Sequence, residues 1–139
     1  MSTLVREVMT PDPVCLDPDS TVTEAAEQMR DKGIGDVLVV RDGNVTGIVT
    51  DRDIVVRVVA EHRNPDLTHL DEIQSADLET LAPDQPIDEA IRIMRERSVR
   101  RIPVIDGGRP VGIVSIGDLA VDRDRESALA DISAARPNT

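Results

Sequence analysis

Between residues 22 and 29, apolar residues fall at positions i, i+3, i+4 and i+7, which is the spacing of one helix face. Thr21 precedes this pattern and Glu24 follows three residues later, which is the spacing of a capping box. Gly33 then ends the pattern. These features predict a helix of about ten residues, close to the usual mean length.

Two short apolar runs follow this helix and predict a β-hairpin. The runs cover residues 37–40 and 45–49, and the turn-forming residues 42–44 separate them. A second helical pattern then covers residues 51–61. A further strand is predicted to begin near Cys15, before the first helix, so the order predicted for this half of the chain is strand, helix, strand, strand, helix.

The same order recurs in the second half of the chain. A shift of 65 positions places residues 8–54 over residues 73–119 without a gap. Self-similarity at one fixed spacing indicates two copies of one structural unit. The elements predicted for the second copy are a helix over 87–94 with Pro86 in its first turn, and strands over 102–105 and 111–114 with a turn at 106–109.

The predicted fold class is α/β, of the α+β type, with tandem repeats that each pack a small mixed β-sheet on two helices. Neither copy alone buries much apolar surface, so we expect the two to pack on each other around a pseudo-twofold axis, with clefts between the repeats. The boundaries expected from the pattern are 1–63 for the first repeat, 64–70 for the linker, 71–124 for the second repeat, and 125–139 for a tail that either forms one further helix or frays.

Composition narrows the classes of function. The 139 residues include no Phe, Tyr or Trp, so a purine pocket must be lined by aliphatic side chains. The formal net charge of -11 argues against nucleic acid binding, which depends on Lys and Arg that neutralise phosphates. The longest apolar run is far shorter than the roughly 20 residues of a membrane span, and no signal peptide pattern opens the chain. We therefore expect a cytoplasmic protein that does not act at a membrane.

The sequence offers little catalytic or metal chemistry. It contains no convincing pair of nucleophile and base, which favours a binding protein over an enzyme. Cys15 is the single cysteine and has no basic neighbour, so we expect a buried, inert thiol. His62 and His69 lack the neighbouring cysteines or regularly spaced carboxylates of a metal site, so no metal is predicted.

Each copy carries a hydroxyl residue three positions before an aspartate, where the second strand passes into the second helix. The pairs are Thr50 with Asp53 and Ser115 with Asp118. This spacing is that of a helix capping box, a structural device found in many proteins. The same place also suits a ligand, because a carboxylate accepts from vicinal hydroxyls and a helix N-terminus favours an anion. Both roles can coexist.

Four stretches together resemble a known family: Val5–Pro11, Gly47–Ile54, Val99–Asp106 and Gly112–Leu119. As a set that spans both copies at one spacing, they are similar to the CBS domain family, whose paired form is also called the Bateman module. The resemblance covers nearly the whole chain. It implies a stand-alone, non-catalytic regulatory module, of the kind that serves in energy sensing.

The resemblance also implies a ligand and roles for the duplicated motif. Family members bind an adenine nucleotide such as AMP, ADP or ATP in the clefts between repeats, and no other cofactor is implied. The family's aspartate accepts hydrogen bonds from the ribose hydroxyls, which implies this role for Asp53 and Asp118. Its hydroxyl residue meets phosphate, which implies that role for Thr50 and Ser115. The sequence leaves NAD-like molecules and S-adenosylmethionine open as alternatives.

Related modules place basic residues that contact phosphate just before the strand of the second copy, where this chain has Arg100 and Arg101. Arginine suits that contact through its planar, permanently charged fork, although a solvated charge pair or an interface salt bridge is an alternative role. The first copy has Gly35 and Asp36 instead, which breaks the symmetry of the two sites. Arg52 either compensates there or pairs with a neighbouring carboxylate.

We expect the purine between aliphatic side chains, the homodimer as the assembled form, and an unidentified effector protein as the reader of the bound state. The alternative is a ligand-free interaction module that acts only by dimerising. The candidate ligand-binding residues are Val14, Ile34, Ile48, Thr50, Arg52, Asp53, Arg100, Arg101, Pro103, Ser115 and Asp118.

Overall fold

A computed structural model describes residues 3–123 of the chain, which fall into two units by their contacts. Unit 1 consists of residues 3–13 together with 79–123, and unit 2 consists of residues 14–78. Each unit has its own buried core. The predicted tail over 125–139 lies outside the described residues, and the predicted pseudo-twofold axis stays a prediction.

The helices and strands follow the order that the sequence pattern predicts, with short elements added at the start of each copy. In chain order they are α1 (Val5–Val8), β1 (Thr10–Pro11), β2 (Cys15–Leu16), α2 (Val22–Lys32), β3 (Asp36–Arg41), β4 (Asn44–Thr50), α3 (Asp51–Ile54) with a π-helical continuation (Val55–Val59), a 3-10 turn (Leu70–Glu72), α4 (Ile87–Arg97), β5 (Arg101–Asp106), β6 (Arg109–Ser115) and α5 (Ile116–Arg123).

In unit 2, the three strands lie in the order β2-β3-β4, with β2 parallel to β3 and β3 antiparallel to β4. The predicted capping box is confirmed, because Thr21 accepts from the Glu24 N–H and the Glu24 carboxylate accepts from the Thr21 N–H. Gly33 ends α2 in the left-handed conformation with φ 63°, as the sequence pattern requires. The core residues that helix and sheet bury are Val22, Ala25, Met29, Val37, Val39, Val49, Val58, Leu70 and Ile73.

In unit 1, the strands lie in the order β1-β6-β5, and both pairings are antiparallel. Pro86 is the N-cap of α4, one position earlier than the first-turn place predicted for it. Ser98 ends the helix with φ 55°, at the position that corresponds to Gly33. The core residues of this unit are Val5, Leu81, Ile87, Ala90, Ile93, Ile102, Val104, Val114 and Leu119.

Each unit completes its sheet with the segment that begins the other sequence copy. Thr10 pairs with Ile113 of β6 in unit 1, and Ser75 pairs with Ile48 of β4 in unit 2. Contact units and sequence repeats are therefore two different divisions of the chain. The repeat boundaries predicted from the pattern stay a prediction.

The second helix of the first copy is less regular than the predicted helix over 51–61. It begins as α3 and continues as a π-helical turn over Val55–Val59. Four of those five residues are valines, whose β-branched side chains crowd an α-helical turn. The corresponding segment of the second copy forms α5, a continuous α-helix. Among the described residues, none of the helices has the length and apolar character that crossing a bilayer needs.

The fold class is confirmed, since both copies form a small sheet that packs with helices. The two hairpins match in detail. Each has a register shift, between Val39 and Val40 in the first and between Val104 and Ile105 in the second. The repeated hairpin brings each duplicated motif to the same structural position, the junction of the second strand with the following helix.

Candidate functional site

The motif of unit 1 lies where β6 passes into α5. The Ser115 N–H donates to the Asp118 carboxylate at 2.8 Å, and the Asp118 N–H donates to the Ser115 Oγ at 3.2 Å. These reciprocal bonds confirm the capping role. Burial raises the pKa of the Asp118 carboxyl, and the hydrogen bonds from Ser115 oppose this shift only in part. One carboxylate oxygen takes the bond from the Ser115 N–H.

The motif of unit 2 has the same backbone geometry but a different neighbour. The Thr50 N–H donates to the Asp53 carboxylate at 2.9 Å, and the Asp53 N–H donates to the Thr50 Oγ1 at 3.1 Å. Arg57 lies one helical turn beyond Asp53, and its Nε is 3.8 Å from the Asp53 Oδ1. Its Nη1 also donates to the Ile73 carbonyl at 3.1 Å.

In unit 1 the two predicted phosphate-binding arginines lie beside the motif. Arg101 is the register partner of Ser115 across the β5-β6 hairpin. Arg100 accepts the Ile116 N–H on its backbone carbonyl at 2.9 Å, which ties the residue before β5 to the start of α5. The backbone therefore places both arginines beside the junction that carries Ser115 and Asp118.

In unit 2 the corresponding positions carry no cation. Asp36 is the register partner of Thr50, and the Gly35 carbonyl accepts the Asp51 N–H at 3.0 Å. The backbone arrangement is the same as in unit 1, while the side chain at the strand position changes from a base to an acid. Arg52, predicted either to compensate or to pair with a neighbouring carboxylate, is exposed on α3.

Three of the predicted aliphatic residues belong to unit 2. Ile48 is buried in β4, while Val14 and Ile34 are partly buried and pack against the core of that unit. Pro103 belongs to unit 1, where it is buried in β5. Ligand-binding roles for these four residues stay predictions.

Sequence reasoning missed Arg57. The signal was available, because an arginine four positions after an aspartate lies on the same face of a helix. The shift of 65 positions places Asp122 at the corresponding position of the second copy. The two motifs therefore differ in charge on the helix as well as on the strand.

A groove of about 550 Å³ lies between α4 and α5 in unit 1. Apolar residues of both helices form much of its lining, including Met94 and Leu119, and Arg100 and Arg95 contribute cations. Neither Ser115 nor Asp118 lines it, but Arg100, Ile116 and Leu119 do, so the groove borders the motif.

His69, Asp71 and Glu72 are exposed and have potential metal-ligating atoms within 4.8 Å of one another, which the sequence reasoning did not foresee. The Glu72 carboxylate is already engaged, since it accepts from the His69 N–H at 2.6 Å and from Arg63 at 2.5 Å. The hydrogen bond from the His69 backbone, followed by the contact with Arg63, lowers the pKa of Glu72. The prediction of no metal site stays a prediction.

The prediction of a buried thiol at Cys15 is wrong. Cys15 is exposed, because β2 is a two-residue strand at the edge of its sheet. Partial burial still raises the pKa of the thiol, so the thiolate is disfavoured.

Comparison with known proteins agrees with the duplicated architecture. A model of the CBS domain family matches residues 5–60 and 70–121. CBS domain-containing protein YhcV from Bacillus subtilis (strain 168) is 35% identical over 133 residues, which cover 93% of this chain and 94% of that protein.

Two solved structures share the fold over most of this chain. The CBS domain pair of protein MJ0100, in complex with 5'-methylthioadenosine and S-adenosyl-L-methionine, has a TM-score of 0.81 at 25% identity and covers 91% of this chain and 100% of that chain. Hypoxic Response Protein I, crystallised with two coordinated zinc ions, has a TM-score of 0.72 at 34% identity and covers 85% and 97%. Matches to both sequence copies, together with these structures, show that the chain belongs to the CBS domain family.

Proposed function

We propose that this chain is a non-catalytic regulatory module that binds an adenine nucleotide at its duplicated motif. One observation carries the proposal: in unit 1, Arg100 and Arg101 lie beside the Ser115 and Asp118 motif at a helix start. The complex of the MJ0100 domain pair with two adenosine derivatives supports a ligand of this class. The location of the clefts between the repeats stays a prediction.

The chemistry of the motif in unit 1 suits a ribose phosphate. The Asp118 carboxylate keeps an oxygen that can accept from a ribose hydroxyl, since one of its oxygens takes the Ser115 N–H. The arginines supply a permanent charge and planar donors for phosphate oxygens. The start of α5 adds the partial positive charge of a helix N-terminus.

The charges also rank the ligands. Two arginines beside the unit 1 motif favour AMP, ADP or ATP over S-adenosylmethionine, whose sulfonium centre carries a positive charge. In unit 2, Asp36 opposite Thr50 disfavours phosphate. The motif with Asp53 therefore takes an uncharged adenosine derivative in preference to a nucleotide, or binds more weakly.

A homodimer that responds to the ligand completes the proposal. Val55, Val56 and Val59 are 58%, 45% and 64% exposed on the helix that follows Asp53, and a second copy that covers them would bury apolar surface. Ligand binding shifts the equilibrium between two packing arrangements of the protein. The shift is at most the difference in the ligand's binding free energy for the two arrangements. An effector protein in the cytoplasm then reads the altered surface as a measure of the adenine nucleotide pool.

The proposal is tested first by absorption of the purified protein, since a chain without Tyr or Trp hardly obscures an adenine band. We expect co-purified adenine nucleotide, identified by mass spectrometry after denaturation, or else binding of added AMP by isothermal titration calorimetry. Asp118→Ala should remove AMP binding by unit 1, and the double variant with Asp53→Ala should remove all binding. Unchanged affinity in the double variant would show that these carboxylates do not hold the ribose.

The exposed valines favour a second candidate function, a ligand-free interaction module that acts by self-association. Light scattering after size exclusion, with and without AMP, distinguishes the two. A stable dimer with no affinity for adenosine, AMP, ADP or ATP would favour this second function.

A further inference from the structure

We infer that Arg57 is a specificity-determining residue that forms an ion pair with the Asp53 carboxylate and competes with the ribose of a ligand for it. The inference rests on the proposed function, because it assigns a different availability to the two aspartates of the duplicated motif. It predicts that the motif in unit 2 binds adenosine derivatives more weakly than its carboxylate alone would.

The contacts of Asp53 leave one oxygen for which Arg57 and a ligand compete. Its Oδ2 accepts the Thr50 N–H at 2.9 Å, and its Oδ1 faces the Arg57 Nε at 3.8 Å. The side chain of Asp53 is only 14% exposed, so few directions of approach to that oxygen remain. The Arg57 guanidinium takes one of these directions and leaves less room for a hydroxyl donor of a ligand.

Arg57 is held in place from its other side. Its Nη1 donates to the carbonyl of Ile73, a buried residue of the same unit, at 3.1 Å. The guanidinium thus bridges the helix after Asp53 and the segment that pairs with β4. A ribose hydroxyl that donates to the Asp53 Oδ1 competes with the attraction between this anchored cation and the carboxylate, which makes ligand binding weaker.

The other copy shows the same motif without the competitor. Asp118 has the same bond from the Ser115 N–H, but the residue four positions later is Asp122. Among the described side chains, none forms an ion pair with Asp118, so its second oxygen is open to a hydroxyl donor. Asp53 and Asp118 therefore have the same backbone geometry but differ in how available the carboxylate is to a ligand.

The functional consequence is ordered occupancy. The motif in unit 1 fills first, and the motif in unit 2 fills only at higher ligand concentration. Because Arg57 is half exposed, salt screens its attraction to Asp53. Rising ionic strength should therefore increase the affinity of the unit 2 motif for uncharged adenosine.

The experiment isolates each motif and removes or adds the competitor. In an Asp118→Ala background, we expect Arg57→Gln to tighten adenosine binding about two- to fivefold by calorimetry, as suits a partly exposed ion pair. Arg30→Gln is the matched control, because it removes an ion-paired arginine from the same unit without touching Asp53. In an Asp53→Ala background, Asp122→Arg should weaken adenosine binding to Asp118 by a similar factor.

The reciprocal variant keeps the test decisive if Arg57→Gln destabilises unit 2. Weaker AMP binding in Arg57→Gln with unchanged adenosine binding would overturn the inference and make Arg57 a phosphate ligand. Unchanged adenosine affinity in both backgrounds would also overturn it. The same holds if the Asp118→Ala protein shows no adenosine binding even after Arg57→Gln. No adenosine or AMP binding by the wild-type chain would instead remove the proposed function itself.

Discussion

The two motifs share one backbone and differ in the charges around it. Thr50 with Asp53 and Ser115 with Asp118 form the same reciprocal capping bonds, with distances that agree to within 0.1 Å. The strand residue opposite the hydroxyl is Asp36 in one unit and Arg101 in the other. Duplication thus preserved the helix cap, while substitutions at matching register positions changed what each site can hold.

The largest effect should come from removing the charge that distinguishes unit 1. Replacing Arg100 and Arg101 by Ser should weaken AMP binding about 10- to 100-fold, the range expected for charge-assisted hydrogen bonds, and should leave adenosine binding nearly unchanged. Calorimetry in an Asp53→Ala background checks this. Equal losses of affinity for AMP and adenosine would mean that the two arginines stabilise the fold and do not recognise phosphate.

The comparison can be sharpened from the other side with Asp36→Arg in an Asp118→Ala background. This change puts a cation at the register position that Arg101 holds in unit 1. We expect the ratio of AMP affinity to adenosine affinity to rise about tenfold at the Asp53 motif, for the same electrostatic reason. A ratio that does not move would mean that the strand position does not face the phosphate.

Gly47 and Gly112, which lie at matching positions of β4 and β6, provide the next difference between the units. A Cβ on Gly112 would lie 2.5 Å from the Met9 Sδ and 2.9 Å from the Thr10 backbone oxygen, whereas the three atoms nearest to a Cβ on Gly47 all belong to the Gln74 side chain. Gly112→Ala should therefore lower the free energy of unfolding by about 1 to 3 kcal/mol, and Gly47→Ala by less, because the two closest atoms, Oε1 and Cδ of Gln74, are at the movable end of its side chain. Urea denaturation followed by circular dichroism compares the two; equal losses would contradict the rigid backbone contact.

The helix ends offer a smaller difference. Ser98 has φ 55° at the position where unit 2 has Gly33 with φ 63°. A left-handed conformation strains a residue with a Cβ, so Ser98→Gly should raise the free energy of unfolding by up to about 1 kcal/mol. The same denaturation measurement on Gly33→Ser should show a decrease of similar size. Destabilisation by Ser98→Gly would mean that the serine side chain contributes a contact that outweighs the strain.

Features that repeat in the sequence were predictable, and features that depend on one neighbour were not. The helix after Thr21, both hairpins and both capping pairs follow from periodicity and spacing. The pairing of Thr10 with Ile113 joins residues about a hundred positions apart, so no local pattern contains it. The exposure of Cys15 depends on how short β2 is, and strand length is set by tertiary pairing.

The smallest effect concerns how Asp118 responds to pH. Burial raises the pKa of this carboxyl above its ordinary value of 3.8, so the folded protein holds the proton more tightly than the unfolded chain. Its contribution to stability is therefore greatest in acid and falls as pH rises from 3.8 through the raised pKa. Asp118→Asn removes this titration and can keep the capping oxygen, so the stability of the variant relative to wild type should increase over the same pH range.

In unit 2, the pKa of Asp31 is shifted in the opposite direction to that of Asp118. Its hydrogen bond with Arg30 lowers the pKa of the carboxyl, so its contribution is present above the ordinary pKa and disappears as pH falls. Asp31→Asn should therefore lose stability relative to wild type as pH rises, which is the reverse of Asp118→Asn. Chemical denaturation across the acid range, followed by circular dichroism, measures both trends. If Asp118→Asn followed the trend of Asp31→Asn, the carboxyl of Asp118 would have to be stabilised in its charged form, and its oxygen would then already have a partner in place of a ligand.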